Sequence, residues 1–185
     1  MYTIKDGLTA IHYGDYQKAL RTFRFLAWQD NEEAQYYMGR IYSEGLGVPI
    51  NDTEAAKWFQ MAAENGHTVA QGCLGKLYLQ GRGVELNYIK AFKWVHLSAL
   101  HGSASSQYNV ALMYLYGDGV EYDDQKAIKW FRLSSSNGNA NAQFALGVLY
   151  MEGLGVERDF YEAGIWLRKA ALQGHEKARY YLNMK

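Results

Sequence analysis

The chain has 185 residues, 49% of them hydrophobic, and its 19 Lys plus Arg balance 19 Asp plus Glu to a formal net charge of zero. That balance argues against a nucleic-acid binder driven by phosphate contacts, and a single cysteine, Cys73, excludes an intrachain disulfide framework. No run approaches the roughly 18 apolar residues of a membrane-spanning helix, so membrane insertion is not expected.

Residues 1–33 read as a compact helical hairpin. No basic-apolar signal peptide precedes Asp6, which as written reads as cytoplasmic; Met1 stands almost against the first predicted helix, so a leader removed upstream would make the protein periplasmic or secreted. Ala19 is in register with Ala55, 36 residues on, but the Gly14-Asp15-Tyr16 turn is shorter than the loops that follow. This first unit is expected to cap the N-terminal end.

From residue 34 a block of 36 residues occurs four times, over 34–69, 70–105, 106–141 and 142–177. Trp58, Trp94, Trp130 and Trp166 keep that spacing, as do Tyr42, Tyr78, Tyr114 and Tyr150. A period of this size marks a repeat array in which each unit buries its apolar face only against its neighbours. Within the first block, Ala34, Met38, Ile41 and Tyr42 fall on one side of a helix. Gly39 shares that side with Gly75, Ala111 and Gly147 as its counterparts, all small, so two helices can approach closely there.

Each first helix meets Gly-x-Gly-Val, at 45–48, 81–84, 117–120 and 153–156, where the first Gly suits a left-handed helix stop and the second turns the chain. Asn51, Asn87, Asp123 and Asp159 follow as N-caps of a second helix, with Asn51 and Glu54, and Asp159 and Glu162, spaced as a capping box. The second helix carries Ala55, Trp58, Phe59, Ala62 and Ala63 and ends before Gly66, matched by Gly102, Gly138 and Gly174. The Trp and Tyr columns read as packing rather than as stacking platforms, and truncation of one buried Trp is expected to cost about 3 to 5 kcal/mol. Residues 178–185 restart the pattern with Ala178 and Leu182, put Asn183 where Gly is expected, and read as a closing helix over the last core.

Catalysis and metal binding find no support in this pattern. The Gly-x-Gly-Val loops have neither a preceding strand nor a following Gly-Lys-Ser/Thr, so they are not phosphate cradles. His67 and His175 are equivalent but three repeats apart, and His96 and His101 are five apart on one helix, so neither pair suits a shared metal. Cys73 has no partner cysteine and reads as a small buried hydrophobe. No Ser-x-x-Lys or Gly-x-Ser-x-Gly appears, so no catalytic residue, metal or cofactor is expected.

The pattern Ala-x-x-x-Leu-Gly-x-x-Tyr-x-x-Gly-x-Gly-Val, then Asp or Asn, Ala, Trp, Ala-Ala and Gly, resembles the Sel1-like repeat family. Its fullest copy here is Ala142, Leu146, Gly147, Tyr150, Gly153, Gly155, Val156, Asp159, Ala163, Trp166, Ala170, Ala171 and Gly174. The opening hairpin looks like the tetratricopeptide relative that often starts such arrays. The resemblance implies an all-α fold, a right-handed α-solenoid of helical hairpins, serving as an adaptor in bacterial or eukaryotic assemblies. The family's cysteine-rich branch holds its hairpins with disulfides, and this chain lacks those cysteines.

In such arrays the first helices line the concave wall, so specificity is expected at their third, seventh, tenth and eleventh positions. The first two repeats offer a polar, partly basic set that includes Tyr36, Arg40, Lys76 and Leu79. The last two offer a largely apolar set, Tyr108, Leu112, Leu115 and Tyr116, then Phe144, Val148 and Met151. The expectation is a non-catalytic scaffold whose groove takes an aromatic or aliphatic protein or peptide segment, with Arg40 and Lys76 drawing acidic groups. Tight curvature that packs the apolar set against itself or the last helix is the competing reading. Other functions left open are a self-assembling module mating through the groove or a terminal face, and a cell-wall-related, enzyme-like binder.

Overall fold

The computed structural model describes residues 2–183, which form eleven α-helices and, among the described residues, no strand. They are α1 (Ile4–His12), α2 (Tyr16–Ala27), α3 (Glu32–Glu44), α4 (Asp52–Glu64), α5 (Thr68–Gln80), α6 (Tyr88–Leu100), α7 (Ala104–Tyr116), α8 (Asp124–Ser136), α9 (Ala140–Glu152), α10 (Phe160–Leu172) and α11 (Glu176–Asn183). The chain divides into two compact units, residues 1–97 and 98–185, with the boundary inside α6. Each unit is a stack of antiparallel helical hairpins. The closing helix expected over 178–185 overlaps α11, which begins two residues earlier; residues 184 and 185 lie outside the described residues.

The first helix of each repeat begins two residues ahead of Ala34, Ala70, Ser106 and Ala142, because the cap lies further upstream than the apolar stripe suggests. Asn31, His67, Ser103 and Asn139 are the N-caps, each accepting from the amide three residues on. His67 does so through Nδ1, at 3.1 Å from the Ala70 amide, and His175 uses Nδ1 in the same way on Ala178 at 3.2 Å. The equivalence of these two histidines is therefore a capping role. Asn51, Asn87, Asp123 and Asp159 cap the second helices as expected. The Glu54 carboxylate pairs with Lys57 at 2.6 Å, while the reciprocal capping box is formed by Thr3 and Asp6 at the start of α1.

The glycine column works as the sequence suggests, with a specific partner in each hairpin. A Cβ on Gly39 would stand 2.5 Å from the Phe59 ring, one on Gly75 2.5 Å from Val95, and one on Gly147 2.8 Å from Leu167. The residue after each Trp therefore fills the core, and Phe59, Val95, Phe131 and Leu167 are all buried. The four Trp side chains are only half-buried, so the Trp column packs as expected, but the expected cost of truncating one is lowered. They lie one residue beyond the core stripe; Trp58 packs on the α2–α3 core from outside and Lys169 lies 4.2 Å above the Trp166 ring. The N-terminal hairpin repeats the device with Gly7 under Phe23.

The second loop glycine does more than turn the chain. Gly83 packs on the backbone of Asp52 and Thr53, and Gly155 on Ile128, so these two loops dock on the second helix of the preceding hairpin where a side chain would not fit. Arg82 reinforces the first contact with a two-pronged bond to Asp52 at 3.1 and 2.8 Å.

A further column joins successive hairpins. Gln35, Gln71, Gln107 and Gln143, 36 apart, are all buried. Each donates Nε2 to the carbonyl eight residues back, on Ala27, Ala63, Ala99 and Ser135. Those carbonyls belong to the last turns of helices, where intrahelical donors run out. The Oε1 atoms of Gln35, Gln107 and Gln143 also accept from a side chain 30 residues ahead, on Asn65, Asn137 and Gln173, at 2.9 Å each. One amide thus ties the end of one hairpin to the start and end of the next.

Candidate functional site

The apolar residues of α7 and α9 build a groove in the second unit. In α7, Ser106, Gln107, Val110, Ala111 and Met113 turn inward, while Tyr108, Leu112, Leu115 and Tyr116 recur at the spacing of the adjoining face. α9 buries Ala142, Gln143, Leu146 and Gly147 and presents Phe144, Ala145, Val148 and Leu149 beside the α7 set. A helix apolar on nearly all sides normally lies in a core; here one side faces an open groove of about 570 Å³. Tyr116, at its edge, is 69% exposed.

Six of the expected residues come together there: Tyr108, Leu112, Leu115, Tyr116, Phe144 and Val148. Tyr108, Leu112 and Leu115 also rest on the core formed by Ala111, Ala127, Phe131 and Ala142. Burial, with a smaller contribution from Tyr116, raises the Tyr108 pKa, which keeps that phenol protonated. Met151 lies apart, in a second cleft of about 430 Å³ with Phe160, Leu167, Tyr181 and Leu182.

The other expected residues lie in the first unit. Tyr36 stacks on His67 with centroids 4.6 Å apart and the planes 16° off parallel. The Arg40 guanidinium holds both Glu44 oxygens, at 2.7 and 3.0 Å, so a side chain expected to attract an acidic partner is already neutralised one helical turn away. Lys76 is exposed and Leu79 half-buried. Cys73 is only partly exposed, and burial pushes its thiol pKa up, which suits a packing role rather than a nucleophile.

The groove also contains residues that the repeat pattern did not bring out: Asn141, His175, Glu176 and Lys177. His175 stacks on Phe144 at 4.5 Å and 21°, while Tyr181 meets the same ring edge-on at 5.5 Å. The signal was present, since Asn141 and Lys177 are 36 apart. Starting the repeats two residues late put these helix N-termini outside the face being read.

Among the described residues no group of three or more His, Cys, Asp or Glu is placed to hold a metal ion. No helix there is long and apolar enough to cross a membrane.

Stacked helical hairpins with an apolar groove between first helices define the class: an all-α solenoid repeat protein. The Sel1 repeat model matches residues 32–67, 70–103, 104–139 and 140–175, and the chain belongs to the Sel1 repeat family. Sel1 repeat proteins are generally protein-interaction scaffolds, and most are non-catalytic. Among solved structures, a protective antigen present in uropathogenic Escherichia coli strains, displaying this repeat fold, is 36% identical with a TM-score of 0.83. The match covers 89% of this chain and 35% of that one, so this chain spans about a third of the antigen's length. A Sel1 repeat protein from Oxalobacter formigenes is 29% identical with a TM-score of 0.90, covering 97% of this chain and 74% of the other. An immunity protein from Pseudomonas aeruginosa shares the fold at 17% identity and a TM-score of 0.58, over 88% of this chain and 60% of its own.

Proposed function

We propose that this protein is a non-catalytic interaction scaffold that holds a partner protein by an apolar stretch seated in the groove of α7, α9 and the start of α11. The observation that carries the reading is the row Leu112, Leu115, Tyr116 and Val148 around an open groove, ending in a Tyr that is 69% exposed. Contiguous apolar surface of this kind, with an aromatic at its edge, is what interaction hot spots are made of. The remaining chemistry agrees: Arg40 is spent on Glu44, the Cys73 thiol is held protonated, and the grooved histidine serves as a helix cap.

The test uses two variants, because Leu112 and Leu115 also support the core. Tyr116→Ser alters only an exposed side chain, while Leu112→Ser, Leu115→Ser and Tyr116→Ser together remove the whole row. A partner isolated from the source cells and identified by mass spectrometry is titrated against each. Tyr116→Ser should weaken it at least about tenfold, the cost of roughly 1.4 kcal/mol at a hot spot. Equal affinity for the intact protein and for a folded triple variant rules the groove out.

A further inference from the structure

We infer that the second cleft, walled by α9, α10 and α11, binds a small organic cation: an ammonium carried on an aliphatic or aromatic body. The site is separate from the groove, and the inference stands or falls independently of the scaffold reading. It begins with a glycine that packing does not require. Gly164 lies in the interior of α10, where glycine weakens a helix relative to alanine. At Gly39, Gly75 and Gly147 a side chain stands 2.5 to 2.8 Å from where a Cβ would be, so no larger residue fits. A Cβ on Gly164 would first meet the Arg168 guanidinium, 3.3 Å away at the end of a flexible side chain of the same helix, and Gly164 has no left-handed φ that would exclude a side chain.

Other hairpins fill this position. Its counterparts at intervals of 36 residues include Leu20, Ala56 and Ile128. Leu20 packs on the first core, and Ala56 and Ile128 are buried. Ile128 also carries the following loop, since a Cβ on Gly155 would stand 2.5 Å from its Cδ1. At Gly164 the same volume is empty and belongs to a cleft of about 430 Å³, a size that suits a small molecule.

The lining specifies the charge of the occupant. Met151, Leu167 and Leu182 make it apolar, Phe160, Tyr180 and Tyr181 supply aromatic rings, and Glu152 is the one charged residue among them. The Tyr180 and Tyr181 centroids are 6.3 Å apart with planes at 75°, so the two rings form a corner, and the Phe144 ring meets Tyr181 at 5.5 Å. Ring faces attract a cation within about 6 Å of the centroid. The chain shows this attraction at the rim, where the Arg158 guanidinium lies 5.9 Å from the Phe160 centroid. Arg158 directs its hydrogen bond to the Glu152 carbonyl, at 3.5 Å. The Glu152 carboxylate forms no ion pair among the described residues. An anion would face that carboxylate and the negative ring faces, and a neutral molecule would gain burial alone. A positive head on an apolar body gains from both.

The experiment titrates the full-length chain with phenylbutylamine, phenylbutanol and phenylbutyrate, which share one body and differ in charge, and follows methyl NMR signals. The amine should move the Met151, Leu167 and Leu182 methyls while those of Leu112 and Leu115 stay in place. The alcohol should bind roughly 2- to 5-fold more weakly and the carboxylate more weakly still. Glu152→Gln should remove the preference for amine over alcohol. Gly164→Leu, which installs the residue of position 20 and a better helix former, should abolish binding of all three without lowering the melting temperature. Alcohol or carboxylate binding as tightly as the amine, unchanged binding by Gly164→Leu, shifts centred on Leu112 and Leu115, or no shift up to the solubility limit of the amine each overturn the inference.

Discussion

Replacing Gln107 by Met tests the contact that joins the hairpins while keeping side-chain length and helix propensity nearly constant. Gln107 is 2% exposed, donates to the Ala99 carbonyl at 3.1 Å and accepts from Asn137 at 2.9 Å. Met removes both bonds. The Ala99 carbonyl keeps its bond from the Gly102 amide, and Asn137 is exposed and can rehydrate, so neither group is left wholly unsatisfied. The loss is then two net hydrogen bonds, about 2 kcal/mol, rather than the larger penalty of a buried orphan. Urea unfolding measures the total, and native-state hydrogen exchange places it; in a repeat array the loss should concentrate at the end of α6 and in α7. A change below about 0.5 kcal/mol, or protection lost evenly along the chain, would refute the reasoning.

Phe59→Ala should cost about 3 to 5 kcal/mol in thermal or urea unfolding, whereas Trp58→Ala, half-buried outside the same core, should cost about 2 kcal/mol; the reverse order would contradict the assignment of core and flank. Asp30 sits at φ 56° in the column otherwise occupied by Gly66, Gly102, Gly138 and Gly174. Asp30→Gly should therefore raise stability by about 0.5 kcal/mol, part of the left-handed penalty being offset by a freer unfolded chain, and a clear loss in unfolding experiments would show that the Asp side chain matters more than its backbone. Burial, opposed in smaller measure by Glu33 and Glu32, lowers the His67 pKa below the ordinary histidine value of 6.5. The unfolded chain then binds the proton first, so His67 contributes stability that is fully present above pH 6.5 and is lost as pH falls through the lower folded value. His67→Asn, which keeps a cap, should flatten this part of the stability-versus-pH curve, and parallel curves for the two proteins would exclude the histidine as its source.

The repeat period made most of the fold readable because spacing alone identifies positions with a shared environment. Gly39, Gly75 and Gly147 were recognisable as points of close approach, and Gly45, Gly81, Gly117 and Gly153 as helix stops. Hydrophobicity misled at the Trp column: a large aromatic at a fixed position looks like core, but the smaller neighbour fills the space above each glycine. The glutamines are equally periodic, but a buried polar residue declares itself only when its partners, 8 residues back and 30 ahead, are known. For the groove, helical spacing places Tyr108, Leu112, Leu115, Tyr116, Phe144 and Val148 together, and the structure has all six lining one groove. Spacing could not reveal that Glu44 occupies Arg40, that Met151 belongs to a second cleft, or that the His175 cap brings a polar rim to the groove. Those features depend on rotamers and on how a helix start meets its neighbour.

The most direct test of the groove is methyl NMR of the protein with and without its identified partner. The account predicts that the methyl signals of Leu112, Leu115, Val148 and Leu149 move on binding while those of Leu20, Leu26 and Ile50 in the first unit stay in place. Shifts confined to the first unit, with Leu112 and Leu115 unmoved at saturation, would contradict it.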